Sequence, residues 1–262
     1  MIHSHPRYRR NAIAEILDKH GFAEVLPLSI SLGVSCMTIR NDLAQLEKKG
    51  ALIRTHGGAL KIDRENVAEA QSPVPDPQQQ ALREKISIGK QAAALVNEGD
   101  TIIIDSGIAA CGLVRNLGHL KYLTVISNNL HVIMLLAEFP DVNVIVPGGT
   151  VQQKTAAVAG ARAVSEIKKY YCDKLFLNAE GFDFDVGISK SNPEEAQLSQ
   201  TMISIAKETI VMTGSNTFQK RQLAFVAHPA QISTVVTDKN ISAGKKMQLE
   251  RMGIRVVVAD SM

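Results

Sequence analysis

The sequence predicts an α/β domain with a mostly parallel sheet, preceded by a small winged helix-turn-helix domain. Three observations predict it. From residue 97 onward, short continuous apolar runs alternate with helix-length segments, as in strands buried on both faces and joined by crossovers. Before residue 64, three helical patterns and a glycine-broken apolar hairpin make a domain that is small but viable around one tight core. Between the two, Gln71-Ser-Pro-Val-Pro-Asp-Pro77 sets three prolines in five positions and is followed by three glutamines, which favours an extended linker over a helix. The expected boundaries are 1–64, a linker at 65–80, and 81–262.

Residues 7–20 read as the first helix, with Ile13, Ile16 and Leu17 as its apolar stripe and Gly21 as its stop. Pro27 suits the first turn of a second, short helix through Leu32. Gly33 turns the chain, and Ser35 is an N-cap for the stretch Val34–Leu43. Ile39, Leu43 and Leu46 recur at helical spacing and face a core. Met37, Thr38, Arg40 and Asn41 then point outward near the helix start. A recognition helix enters the major groove by that end, where such side chains meet base edges and phosphates. An ordinary amphipathic surface helix has the same pattern. Lys48-Lys49-Gly50 is a basic stop, and Ala51–Leu60, broken at Gly57-Gly58, is a hairpin wing that carries Arg54 and His56 toward a DNA backbone. A solvated strand charge and a loop histidine are the plain alternatives for these two.

A helix is expected from about Gln80 to Val96. Strands follow at Thr101–Asp105, Leu123–Ser127, Val142–Val146, Lys174–Asn178, Thr209–Thr213, Thr234–Thr237 and Arg255–Ala259, with helices at about Ala109–Leu117 and up to Leu136. In open parallel sheets, ligands bind beyond the carboxyl ends of the strands. Those ends collect Asp105, Ser106, Gly107, Ser127, Asn128, Gly148, Gly149, Asn178 and Glu180. Small residues allow close approach to the backbone, and helix starts offer N–H groups to an anion, which suits a phosphorylated small molecule. Turns in any α/β domain are rich in these residue types as well.

Composition narrows the classes. The chain has 262 residues, of which 45% are hydrophobic, so a sizeable core is available. No apolar stretch reaches the length of a membrane helix. The first residues (His3, Ser4, His5, Arg7, Arg9 and Arg10 among them) lack an apolar core, so no secretory signal is expected. Cys36, Cys111 and Cys172 form neither a disulfide framework nor a zinc pattern, so a reducing cytoplasm is the expected compartment and no metal site is expected. Cys111 lies near a helix start, where a thiol pKa can fall, and a small apolar filler is the simpler role. Net charge is +3, and residues 1–64 hold ten Lys or Arg against six Asp or Glu. The positive excess therefore sits in the segment with the helix-turn-helix pattern, as a phosphate-binding end requires.

The first sixty residues resemble the DeoR family of bacterial transcriptional regulators. The matching signature is Gly33-Val-Ser35, Thr38-Ile-Arg40, Asp42-Leu43, Leu46-Glu47, Gly50 and Arg54-Thr-His-Gly-Gly-Ala59. The second domain resembles the family's effector-binding domain at Gly99-Asp100, Asp105-Ser-Gly107, Ser127-Asn128, Pro147-Gly-Gly149, Gly160, Asp173-Lys174, Gly181 and Gly187. The resemblance implies a repressor of sugar metabolism that binds operator DNA as a homo-oligomer, dimer or tetramer, and senses a non-covalently bound phosphorylated sugar. It also implies a sensor fold related to ribose-5-phosphate isomerase, a cytoplasmic protein associated with the nucleoid when on DNA, and no membrane partner. Implied DNA contacts are Arg7, Arg10, Ser35, Met37, Thr38, Arg40, Asn41, Arg54 and His56, with Arg9 among the cations near phosphate. Implied effector contacts are Asp105, Ser106, Gly107, Ser127, Asn128, Gly148, Gly149 and Glu180.

The chain departs from the family pattern in places. Asn41 stands where a second arginine is common, which shifts base preference toward adenine or removes a phosphate contact. Ile108-Ala-Ala-Cys111 replaces a threonine run and offers no hydroxyls. Leu198-Ser199 lies where a lysine is common, and Gly214-Ser-Asn-Thr-Phe218 lacks an Asp and a Lys, although Lys220 and Arg221 lie close by. Two other functions follow from these residues. One is a DNA-binding regulator with a degenerate sensor. The other is a phosphosugar isomerase-like enzyme using Glu180, Asp183 or Asp185 for proton transfer. The expectation is a regulator with no catalytic residues and no cofactor, because shared fold does not carry function.

Overall fold

In the computed structural model, residues 6–20, 22–48, 52–55, 58–61 and 77–260 are described. The chain divides into two compact units, Met1–Val74 and Pro75–Met262.

The N-terminal unit contains α1 (Pro6–His20), β1 (Phe22–Glu24), α2 (Val25–Leu32), α3 (Cys36–Lys48), β2 (Leu52–Thr55) and β3 (Gly58–Lys61). Its core is one cluster: Ile13 and Leu17 of α1, Leu28 and Leu32 of α2, Ile39, Leu43 and Leu46 of α3, and Leu52 and Ala59 of the hairpin. β2 and β3 pair antiparallel with Thr55 opposite Gly58, so the expected wing is present. A third strand was not expected. β1 pairs with β3, giving the order β1-β3-β2. Three residues between two helices are too few to show strand alternation in a sequence. Gly21 and Gly50, expected as helix stops, and His56 of the wing lie outside the described residues.

The C-terminal unit opens with α4 (Pro77–Ala93). This helix begins three residues before the expected start. Pro77 is its first residue, where the missing N–H costs no helical hydrogen bond, so the last proline of the run starts the helix instead of barring it. Next come β4 (Thr101–Ile104), α5 (Ile108–Val114), β5 (Leu123–Ser127), α6 (Leu130–Leu136), β6 (Val142–Ile145), β7 (Thr150–Gln152), β8 (Ala157–Ala159) and α7 (Ala161–Ile167). The unit closes with β9 (Cys172–Asn178), β10 (Gly181–Asp183), β11 (Gly187–Lys190), α8 (Pro193–Ile205), β12 (Ala206–Met212), β13 (Ala224–Ala227), β14 (Thr234–Thr237), α9 (Ala243–Arg251) and β15 (Arg255–Val258).

All seven expected strands join one sheet in the order β15-β14-β12-β9-β4-β5-β6, and every pairing in it is parallel. Alternation along each strand sends its side chains to two cores. Ile103, Ile126, Leu175, Leu177, Val211 and Val235 pack under α7, α8 and α9. Ile102, Ile104, Val125, Phe176, Ile210, Met212 and Val236 pack under α4, α5 and α6. A sheet covered on both faces is why these strands read as continuous apolar runs. Two small antiparallel pieces complete the unit: the β7–β8 hairpin, and a three-stranded sheet ordered β10-β11-β13.

The α4–α5 crossing depends on missing side chains. A Cβ on Gly89 would lie 2.0 Å from the Ala109 carbonyl oxygen, and one on Gly112 would lie 2.8 Å from the Ile86 carbonyl oxygen. Only glycine permits so close an approach. At the amino ends of the strands, Lys174 Nζ lies 2.5 Å from Asp100, and Asp173 accepts from Thr101 N at 3.0 Å and from Lys207 Nζ at 2.7 Å. The Gly99-Asp100 and Asp173-Lys174 signatures are therefore structural clasps between β4 and β9, at the sheet edge opposite the carboxyl ends.

Candidate functional site

The first candidate surface is the outward face of α3. Gly33 adopts φ +64°, and Val34 N donates to Ser29 O at 3.1 Å, which closes α2 and turns the chain. Ser35 Oγ accepts from Thr38 N at 3.1 Å, capping α3, and shares a second hydrogen bond of 2.9 Å with Thr38 Oγ1. Ser35→Ala is expected to cost the N-terminal unit about 1 kcal/mol, read as a lower thermal midpoint. With Ile39 and Leu43 wholly buried, Met37, Arg40 and Asn41 are exposed on the opposite face, and Met37 is 63% exposed. Thr38 is half-buried beside Ser35. Gln45 is exposed one turn beyond Asn41 and extends this row. Its place follows from the same period, although a single glutamine gives little signal by itself.

α1 separates its arginines. Arg7 is exposed, and Arg10 is half-buried with its Nε donating to Pro6 O at 3.0 Å. Arg9 corrects the expectation of a phosphate contact. It is 5% exposed and is paired with Asp42, itself 5% exposed, on α3. Arg10 Nε lies 3.9 Å from the same carboxylate. Arg9 lies two residues after Arg7, about 200° further around the helix, so it falls on the side that faces α3 while Arg7 faces out. Arg54 lies on β2 opposite Ala59, and its side chain, like all of His56, is outside the described residues.

The second candidate surface is the carboxyl edge of the parallel sheet. From β4 the chain adds β5 and β6 on one side, and later β9, β12, β14 and β15 on the other. The strand order thus reverses between β4 and β9, the position at which open parallel sheets bind ligands. Asp105, Ser106 and Gly107 follow β4, Ser127 and Asn128 end and follow β5, and Asn178 ends β9.

Most of these side chains are buried and engaged. Asp105 is 1% exposed, and its Oδ2 accepts from Asn178 N at 3.2 Å and from Lys190 Nζ at 2.7 Å. Lys190, at the end of β11, is itself 1% exposed. It was not among the expected site residues, because a lysine between two serines reads as solvated and only the fold of β10–β11 carries it inward. Ser106 is buried, and Gly107 has φ +112° with its Cα facing the Asn178 carboxamide. Ser127 Oγ accepts from Asn129 N at 3.2 Å, and the Asn129 carboxamide oxygen caps α6 by accepting from His131 N and Val132 N. Asn128 holds the β7–β8 hairpin: its Nδ2 donates to Val158 O at 3.0 Å, and its carbonyl accepts from Val158 N at 2.7 Å. Gly148 and Gly149 are exposed at the start of that hairpin, and Arg162 lies against Gly148.

Two of the three carboxylates expected as proton-transfer candidates, Glu180 and Asp183, are held by the fold. Glu180 Oε2 accepts from Ser191 N at 2.8 Å and Ser191 Oγ at 2.7 Å. Asp183 accepts from Arg221 Nε at 2.7 Å and from Asp185 N and Val186 N, and these donors hold its carboxyl down at about 2. Burial pushes the Cys111 thiol above its ordinary value, with Arg115 pulling weakly the other way, so its position favours the packed thiol over a reactive one. Among the described residues, no group of His, Cys, Asp and Glu could hold a metal ion, and no helix is long and apolar enough to cross a membrane.

A winged helix-turn-helix with a capped, outward-facing third helix, in one chain with a parallel α/β unit, defines a DNA-binding transcriptional regulator with a sensor domain. Comparison with known proteins gives the particular family. Residues 9–65 match the DeoR-like helix-turn-helix domain, and residues 80–239 match the DeoR C terminal sensor domain. The chain belongs to the DeoR family. A protein of Escherichia coli O157:H7 named as a transcriptional repressor of the aga operon is 31% identical over 250 residues, covering 95% of this chain and 93% of its own. An uncharacterized HTH-type transcriptional regulator of Bacillus subtilis, YulB, is 32% identical over 248 residues, covering 95% of each chain. Among solved structures, ribose 5-phosphate isomerase A from Neisseria gonorrhoeae covers 55% of each chain with a TM-score of 0.38 and 15% identity.

Proposed function

We propose that the chain represses a carbohydrate-utilisation operon by binding operator DNA as a homo-oligomer, and that a phosphorylated sugar or related metabolite gates this binding from the β4–β9 crevice. The observation that carries the reading is the outward row of Met37, Arg40 and Asn41 on a helix whose other face is fully buried. In this reading Arg40 and Asn41 meet base edges, and Ser35, Thr38, Arg7, Arg10, Arg54 and His56 contact the DNA backbone. Repression is supported by the name of the Escherichia coli relative. The effector acts by binding the arrangement that leaves DNA more tightly than the one that holds it. Residues 1–64 serve as the DNA-binding domain, 65–80 contain the linker, and 81–262 sense the effector. The protein acts in the cytoplasm, without catalysis. The engaged state of Glu180 and Asp183 supports that last point.

Footprinting on DNA upstream of this chain's own and neighbouring genes, with excess nonspecific DNA, tests the reading. A discrete footprint is expected, and Arg40→Ala is expected to weaken it by about 1–3 kcal/mol and relax preference at one base pair. Specific binding unaltered by Arg40→Ala would overturn the assignment of α3 as the reading helix.

A further inference from the structure

We propose that the carboxamide oxygen of Asn128 accepts a hydrogen bond from a hydroxyl group of the effector, so the crevice requires a hydrogen-bond donor at this point. The proposal rests on the effector reading above and adds to it a residue role and a chemical requirement. Asn128 is 2% exposed, and its Oδ1 is buried with no hydrogen-bond partner among the described residues. Exchanging the amide's oxygen and nitrogen does not remove the orphan. It would turn Oδ1 onto the Val158 carbonyl oxygen, acceptor against acceptor, in place of the present 3.0 Å bond from Nδ2. The amide is therefore oriented by the hairpin, and its oxygen is left over. Buried acceptors are rarely left in this state without a purpose.

Its place in the fold says what purpose. Asn128 directly follows β5, the neighbour of β4, and Ile104 is in register with Ser127, so Asn128 and Asp105 leave adjacent strands at the carboxyl edge. Two donors at this edge are already committed to Asp105. Lys190, the cation buried at this edge, is turned onto Asp105, and so is Asn178 N–H. A lone acceptor beside a neutralised pair repels a phosphate oxygen and attracts O–H. The hydroxyl-bearing part of a sugar is thus read at Asn128, and any phosphate group lies away from it.

The test is a binding cycle on the full chain, read by thermal shift. The probes are ribose 5-phosphate, glucose 6-phosphate and fructose 6-phosphate, the 2-deoxy analogues of the first two, singly deoxygenated analogues of any other sugar phosphate that binds, and inorganic phosphate. Asn128→Leu is expected to weaken the best-binding sugar phosphate about tenfold or more. The analogue lacking the hydroxyl in question is expected to bind wild type equally weakly, and to lose nothing further in the variant. If the leucine variant fails to fold, the wild type decides alone: the analogue lacking the hydroxyl should bind it about tenfold or more weakly than the parent sugar phosphate. Equal weakening of every probe, unchanged binding in a folded Asn128→Leu, equal binding of each analogue and its parent by wild type, or no probe binding the folded wild type would each overturn the proposal. If a probe releases the operator footprint and its effect survives Asn128→Leu, the effector reading stands and the Asn128 role falls. If no probe alters melting or footprint, both fall.

Discussion

Arg9→Met is expected to destabilise the N-terminal unit by about 3 kcal/mol or more, a drop in melting temperature on the order of 15 °C for so small a domain. The cause is Asp42. Its side chain is 7% exposed between α1 and α3 and is paired with Arg9 at close range, while Arg10 stands off at 3.9 Å with a side chain 25% exposed. Removing the close cation strands a charge that burial has cut off from water. The double variant Arg9→Met with Asp42→Leu should recover most of the loss, because two apolar side chains leave no uncompensated charge there. DNA binding supplies a second readout. A buried arginine releases no counterion, so the variant's affinity should fall while the slope of log K against log salt stays parallel to wild type. A shallower slope by about one charge would return Arg9 to the phosphate contacts.

Lys190→Met is expected to have the other large effect, about 3–5 kcal/mol on the C-terminal unit, read as a lower urea midpoint with unchanged slope. Asp105 would keep its hydrogen bond from Asn178 N and lose the ammonium 2.7 Å away, in a pair whose side chains are 1% and 2% exposed. Combining Lys190→Met with Asp105→Asn should return part of the stability, since a carboxamide carries no charge to strand. A single variant as stable as wild type would mean that the pair contributes nothing net to the fold.

The outer form of this protein was legible in its sequence, and two periods explain why. Strands covered on both faces had to be continuous apolar runs, and the runs at Thr101, Leu123, Val142, Lys174, Thr209, Thr234 and Arg255 lie at or within a few residues of the seven strands of the parallel sheet. The helical period that buries Ile39 and Leu43 also turned Met37, Arg40 and Asn41 outward, and Ser35 announced the cap. Elements of three residues, such as β1, β7, β8 and β10, carry too little of either period to be seen.

Within the site, the sequence by itself determined which residues reach the carboxyl edge of the sheet, because strand ends can be read from where apolar runs stop. Only the tertiary structure decided what each of them is free to do. Arg9 and Arg10 are neighbours in the chain, yet one is sealed against Asp42 and the other is half-exposed. Lys190 and Asp105 are 85 residues apart, yet share one hydrogen bond. Asn128 gives its amide nitrogen to a hairpin 30 residues away and keeps its oxygen. Hydrogen bonds act over about 3 Å and desolvation depends on everything packed around a group, so neither is written in the order of residues along the chain.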